Sequence, residues 1–129
     1  MADLPAGRVP AADPYLAADG SLVTELVRPE LGGPRNVSVA RAVVEPGQST
    51  HRHYHTDSDE VYYILSGEGV VTVGEKAEAV AAGDCLFIPA GQVHAARCES
   101  ESPLSILCLC SPPYTHARTV RVDSVSCAP

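Results

Sequence analysis

At 129 residues, 45% of them apolar and 19% charged, the chain has room for one domain with its own core, since chains of this size bury roughly two-thirds of their unfolded surface. A net charge of −7 argues against nucleic acid and anionic membranes as partners, and no run approaches the roughly 20 apolar residues of a membrane span. The first residues show no signal peptide, and five cysteines without a CxxC pair read as free thiols in a reducing cytoplasm, not as a disulfide framework or a zinc knuckle.

Residues 1–20 carry Pro5, Pro10 and Pro14 with little periodicity, and read as an extended arm packed on a barrel or on a partner subunit. Asp19-Gly20 is a turn signal, after which 21–27 predicts a first strand stopped by Pro29. A second strand is predicted over 36–44, closed by Pro46-Gly47. A third, over 49–55, places His51, His53 and His55 at alternate positions, so all three imidazoles turn to one face. Three imidazoles in an apolar interior are costly to desolvate without partners. A metal ion removes that cost, because neutral imidazole nitrogens and a carboxylate oxygen are good ligands for it.

Residues 59–65, rich in aromatic and branched side chains, predict a strong strand with Glu60 and Tyr62 on a shared face. Further strands are predicted at 70–73, 77–80, 85–88, 92–97 and 104–110, separated by turns rich in glycine and proline. In the last of these Ile106, Cys108 and Cys110 share one face, and Pro112-Pro113 then takes the chain out of the sheet. Short strands between such turns, with no amphipathic helix, predict an all-β antiparallel sandwich or barrel.

Gly47-x5-His53-x-His55-x4-Glu60-x6-Gly67 resembles the first motif of the cupin superfamily at every anchor. After fifteen residues (68–82), Gly83-x5-Pro89-x-Gly91-x2-His94 resembles the second. The resemblance implies a double-stranded β-helix, or jelly-roll, barrel over 21–116, between the arm at 1–20 and a tail at 117–129. It implies one divalent metal ion per chain (Fe, Mn, Zn or Ni), held by His53, His55, Glu60 and His94. It also implies a homodimer that can exchange N-terminal strands. One departure is Cys98, where many cupins carry an asparagine that is not a ligand. The ending from Leu107 to His116 is similar to that of a group of small bacterial cupins, except that the residues after the histidine are usually acidic there and are Ala117-Arg118 here; Tyr114 and His116 are expected either over a barrel end or as anchors of the tail.

Histidine-rich strands also occur as solvated surface, but a chance match to two motifs in order is improbable. His51 and Tyr62 are candidate catalytic groups; the plainer readings are a histidine at the cavity mouth without a role, and a core tyrosine. Cys108 and His116 are candidate substrate contacts, although the common fate of a buried cysteine is to be inert. The expected function is a metal-dependent enzyme acting on an organic small molecule inside the barrel. Non-haem Fe(II) or Mn(II) dioxygenase-type chemistry leads, because the donors resemble the two-histidine, one-carboxylate triad with a histidine added. The alternatives are a Zn- or Ni-dependent cyclase, isomerase or lyase, and a barrel that binds or senses a ligand without turning it over.

Overall fold

The computed structural model describes residues 12–122, so the arm before residue 12 and the tail from 123, with Cys127, lie outside the described residues. Eleven strands follow in chain order: β1 (Tyr15–Leu16), β2 (Leu22–Val27), β3 (Ser38–Val44), β4 (His53–His55), β5 (Asp59–Ser66), β6 (Glu68–Val73), β7 (Lys76–Ala81), β8 (Cys85–Ile88), β9 (His94–Cys98), β10 (Leu104–Ser111) and β11 (Thr119–Arg121). They form a six-stranded sheet, β1-β2-β3-β10-β5-β8, and a five-stranded sheet, β11-β4-β9-β6-β7, every pairing antiparallel. This is a jelly-roll barrel. Helical structure among the described residues is confined to two single 3₁₀ turns, Pro29–Leu31 and His116–Arg118.

Alternation along the strands decides what lies between the sheets. In β5, Glu60, Tyr62 and Ile64 are buried while Tyr63 and Leu65 face out. Val44, Ile64, Val71, Ile88, Leu104 and Ile106 fill the interior, each contributing about 1.5–3 kcal/mol by apolar burial. The inward-facing polar side chains of β4, β5 and β9, His53, His55, Glu60 and His94, are buried as well.

All nine strands expected from the sequence have a counterpart, but three features differ. The histidine strand begins only at His53. Thr50 still donates to Ala96 at 2.8 Å, but the next amide, that of His51, turns to the carbonyl of Asp19 at 2.7 Å. With the ladder broken there, alternation no longer governs residue 51, and His51 is exposed instead of facing inward. Secondly, the arm contributes β1, which pairs with β2. Thirdly, Pro112-Pro113 does end β10, yet the chain returns to the barrel as β11, pairing with β4.

Candidate metal centre

Two features of the chain converge here. His53 and His55 stand two apart on β4 and so share a face, and His53 lies directly opposite His94 in the β4–β9 pair. The ring centroids are 4.3 Å apart for His53 and His94 and 5.2 Å for His53 and His55. The turn at 56–58 reverses the chain into β5, which brings Glu60 from the other sheet. Its Oε1 lies 3.1 Å from Nε2 of both His55 and His94. All four side chains are buried, and the three histidines each offer a ring nitrogen within 4.8 Å of the others.

The opposite edge of each ring is tied down. Nδ1 of His53 meets the carbonyl of His51 at 2.9 Å, and Nδ1 of His94 meets the carbonyl of Gln92 at 2.9 Å. A carbonyl only accepts, so the proton sits on Nδ1 in both rings. His55 Nδ1 lies 2.9 Å from the hydroxyl oxygen of Thr119, whose own proton goes to the carbonyl of Thr115 at 2.9 Å, so this ring too donates from Nδ1. In the neutral rings each Nε2 then carries the lone pair, turned to a shared space. Lone pairs aimed at a carboxylate oxygen 3.1 Å away repel unless a proton or a cation lies between them. His94 Nε2 is buried and makes no hydrogen bond of acceptable geometry despite that proximity. The set, three imidazole nitrogens and one carboxylate oxygen, fits a divalent metal ion of the Fe, Mn, Zn or Ni kind.

The electrostatics agree. Burial alone would raise the Glu60 carboxyl, but the contacts with His55 and His94 outweigh it and hold the group down at about 2. Burial pulls His94 down, and Glu60 more than reverses that, so its net shift is upward. His53 is lowered, by burial first and then by the charge of His94. Without a metal, His94 therefore holds a proton to higher pH than a free imidazole does. Metal uptake below that raised value is expected to release the proton, and apparent affinity to rise as pH climbs through it. Calorimetric titration in two buffers of different ionisation enthalpy measures the proton count; a count of zero contradicts the assignment.

The other residues singled out from the sequence fall in different places. Tyr62 is buried, lines the cavity and meets His94 edge-on at 5.8 Å; burial pushes its hydroxyl well up, so it stays a proton donor. Cys108 lines the cavity, its thiol raised by burial and then by the charge of Glu60. Cys110 also lines it and points its sulfur at Glu60 Oε2, 3.5 Å away. His51 and His116 are exposed and are not among the cavity residues, whereas Tyr114 lines it, edge-on to His55 at 5.7 Å. Cys98 turns away from the centre, toward the carbonyl of Ser102 at 3.2 Å, and so bridges the turn that follows β9.

Nothing in the sequence marks Thr119 as the residue that sets the His55 tautomer. Loss of such a partner typically costs 10–100-fold in metal affinity. Thr119→Val is expected to weaken metal binding by about that much at nearly constant fold stability, as read by competition with a chromophoric chelator.

The Cupin domain family matches residues 40–110. An uncharacterised protein of Methanocaldococcus jannaschii is 39% identical over 106 residues, spanning 82% of this chain and 85% of its own length. A solved Thermus thermophilus structure is 32% identical, with a TM-score of 0.65 over 78% of this chain and 90% of its own. A Thermotoga maritima structure, described as a predicted oxalate decarboxylase, is 25% identical with a TM-score of 0.68, covering 84% of this chain and 97% of its own.

Proposed function

We propose, for a chain that belongs to the cupin family, a metal-dependent enzyme that turns over a small organic molecule inside the barrel, with His53, His55, Glu60 and His94 as the metal ligands. The observation that carries this reading is the gathering of three buried imidazoles, each fixed by a hydrogen bond at Nδ1, with a carboxylate oxygen 3.1 Å from Nε2 of two of them, His55 and His94. Four ligands leave room on a six-coordinate ion for a substrate with two oxygens. The ion would supply Lewis acidity or, if Fe or Mn, redox chemistry. The chain's own residues do the rest. Ala40, Ala42, Val44 and Ile106 make part of the wall apolar, and Tyr62 offers a hydroxyl that stays protonated. The Thermotoga neighbour's description names oxalate decarboxylase, and a molecule that chelates through two oxygens fits the same arrangement.

Dioxygenase-type chemistry with Fe(II) or Mn(II) is the first version of this reading, because three imidazoles and one carboxylate suit those ions. The second version is non-redox, a Zn- or Ni-dependent cyclase, isomerase or lyase. It is favoured by the free thiols of Cys108 and Cys110 in the cavity wall, which activated oxygen would oxidise. Protein purified without a histidine tag is expected to hold one metal ion per chain by elemental analysis. Oxygen uptake with small oxygen-bearing acids assigns the first version, and turnover without uptake the second. Protein that takes up none of the four metals sinks the proposal, and metal loading with ligand binding but no turnover leaves a binding barrel.

Two coarser expectations join it. Among the described residues no helix is long and apolar enough to cross a membrane, and four free thiols fit a reducing cytoplasm. The outer face of the six-stranded sheet exposes Leu22, Tyr63, Leu65 and Phe87, the last by 60%, which fits a homodimer packed through that face. Light scattering that returns a monomer mass contradicts the dimer.

A further inference from the structure

The turn that opens the barrel carries a carboxylate with no part in the ligand set. Asp19 lies between β1 and β2, next to Gly20, whose φ of +90° L side chains rarely adopt. Its Oδ1 accepts from the Ser21 amide at 2.9 Å and from the Ser21 hydroxyl at 2.6 Å, and Ser21 is buried. Oδ2 faces the cavity, 3.8 Å from Nε2 of His53. The Asp19 carbonyl accepts from the His51 amide at 2.7 Å, and the His51 carbonyl in turn holds Nδ1 of His53. Carboxylate and ring are therefore fixed against each other through a short run of backbone.

Charge decides what such a group can do. Among the described residues lining the cavity there is no lysine or arginine, and the acids are Asp19, Glu25 and Glu60. Glu25 has its Oε2 tied, accepting from the Tyr15 hydroxyl at 2.5 Å with Arg28 at 3.3 Å, while its Oε1 is buried without a hydrogen-bond partner among the described residues. Glu60 belongs to the ligand set. Asp19, outside that set but 3.8 Å from Nε2 of His53, is the carboxylate that stands beside whatever the metal holds.

We infer that Asp19 is a specificity-determining residue: Oδ2 accepts a hydrogen bond from a hydroxyl or N–H that the ligand carries beside its metal-binding oxygens, and its charge disfavours dicarboxylates. This rests on the metal reading above and narrows the substrate class to donor-bearing, singly charged or neutral chelating molecules. A dianion would meet the carboxylate with no cation in the wall to offset it.

The test uses Co(II)-loaded protein and two probes that chelate through paired oxygens, followed by the visible spectrum of the ion. Oxalate is a dianion without a donor; acetohydroxamate is a monoanion that keeps an N–H. Asp19→Asn retains the Oδ1 acceptor for Ser21 and removes the charge. It is expected to shift the ratio of the two dissociation constants toward oxalate by roughly tenfold, with Co(II) still bound. Ser21→Ala loosens the turn but keeps the charge, and is expected to move the ratio by less than about threefold. An Asp19→Asn shift smaller than about threefold, or a Ser21→Ala shift as large as that of Asp19→Asn, overturns the inference alone. Loss of Co(II) uptake on Asp19→Asn would make Asp19 a ligand and overturn the selectivity role. Failure of the unaltered protein to take up Co(II) overturns the metal reading and this inference with it.

Discussion

His94→Ala is expected to abolish stoichiometric metal binding while leaving a folded barrel. His94 comes from β9, and its Nε2 lies 3.1 Å from the same Glu60 oxygen that meets His55. Removing it takes away one of three nitrogens and leaves the buried Glu60 carboxylate with a single histidine partner. Losing a group that merely orients a ligand costs 10–100-fold in metal affinity, so losing the ligand itself should exceed roughly 100-fold. The fold should survive, because His94 is not part of the apolar cluster between the sheets. Chelator competition reads the affinity, and circular dichroism with a thermal melt reads the fold. Glu60→Gln separates charge from shape: it keeps a side chain of similar size but loses the negative charge that balances the ion. It too should lose affinity strongly. A His94→Ala protein that binds within about tenfold of the unaltered chain would remove His94 from the ligand set.

The positions of His53, His55 and Glu60 were legible in the sequence because their relation is local. A strand, a short polar turn and a second strand settle which faces meet, and the spacing of glycines and prolines marks where each begins. His94 was legible through its own hairpin, opened by Pro89 and Gly91. Alternation breaks down at His51 for a physical reason. It assumes a continuous ladder, and the His51 amide leaves the ladder for a carbonyl 32 positions earlier in the chain, that of Asp19. Asp19 and Thr119 were out of reach for the same cause. Thr119 meets His55 across 64 residues of sequence, and nothing local to an Asp-Gly turn says which cavity the aspartate will face. Likewise β11 pairs with β4 after a proline pair that, read locally, ends the sheet.

Gly69→Ala is expected to be among the most disruptive single-methyl changes in the barrel, and the reason is not backbone conformation. Gly69 sits in the β6–β9 pair opposite Cys98, and its φ is not in the left-handed region. A Cβ there would lie 2.1 Å from the carbonyl oxygen of Arg97 and 3.0 Å from Cδ2 of Leu104, which is fully buried. Backbone on one side and packed core on the other leave little room to yield. Gly67 combines the two difficulties, since its φ is +85° and a Cβ would fall 2.4 Å from the carbonyl oxygen of Pro103. Gly83 makes the comparison, because its φ is +95° but nothing lies within 4 Å of an added Cβ. Left-handed strain alone costs about 1–2 kcal/mol, so Gly83→Ala should lose that much. Gly69→Ala and Gly67→Ala should lose roughly 3–5 kcal/mol, a large share of the 5–15 kcal/mol that holds a typical domain together. Urea midpoints at constant slope measure the order, and a Gly69→Ala protein no less stable than Gly83→Ala would contradict the close approach of β6 to β9. Because β9 carries His94 and pairs it with Val73 on β6, forcing these strands apart should also move a metal ligand. Whatever fraction of Gly69→Ala remains folded is therefore expected to bind metal more weakly than Gly83→Ala, which leaves that pair alone.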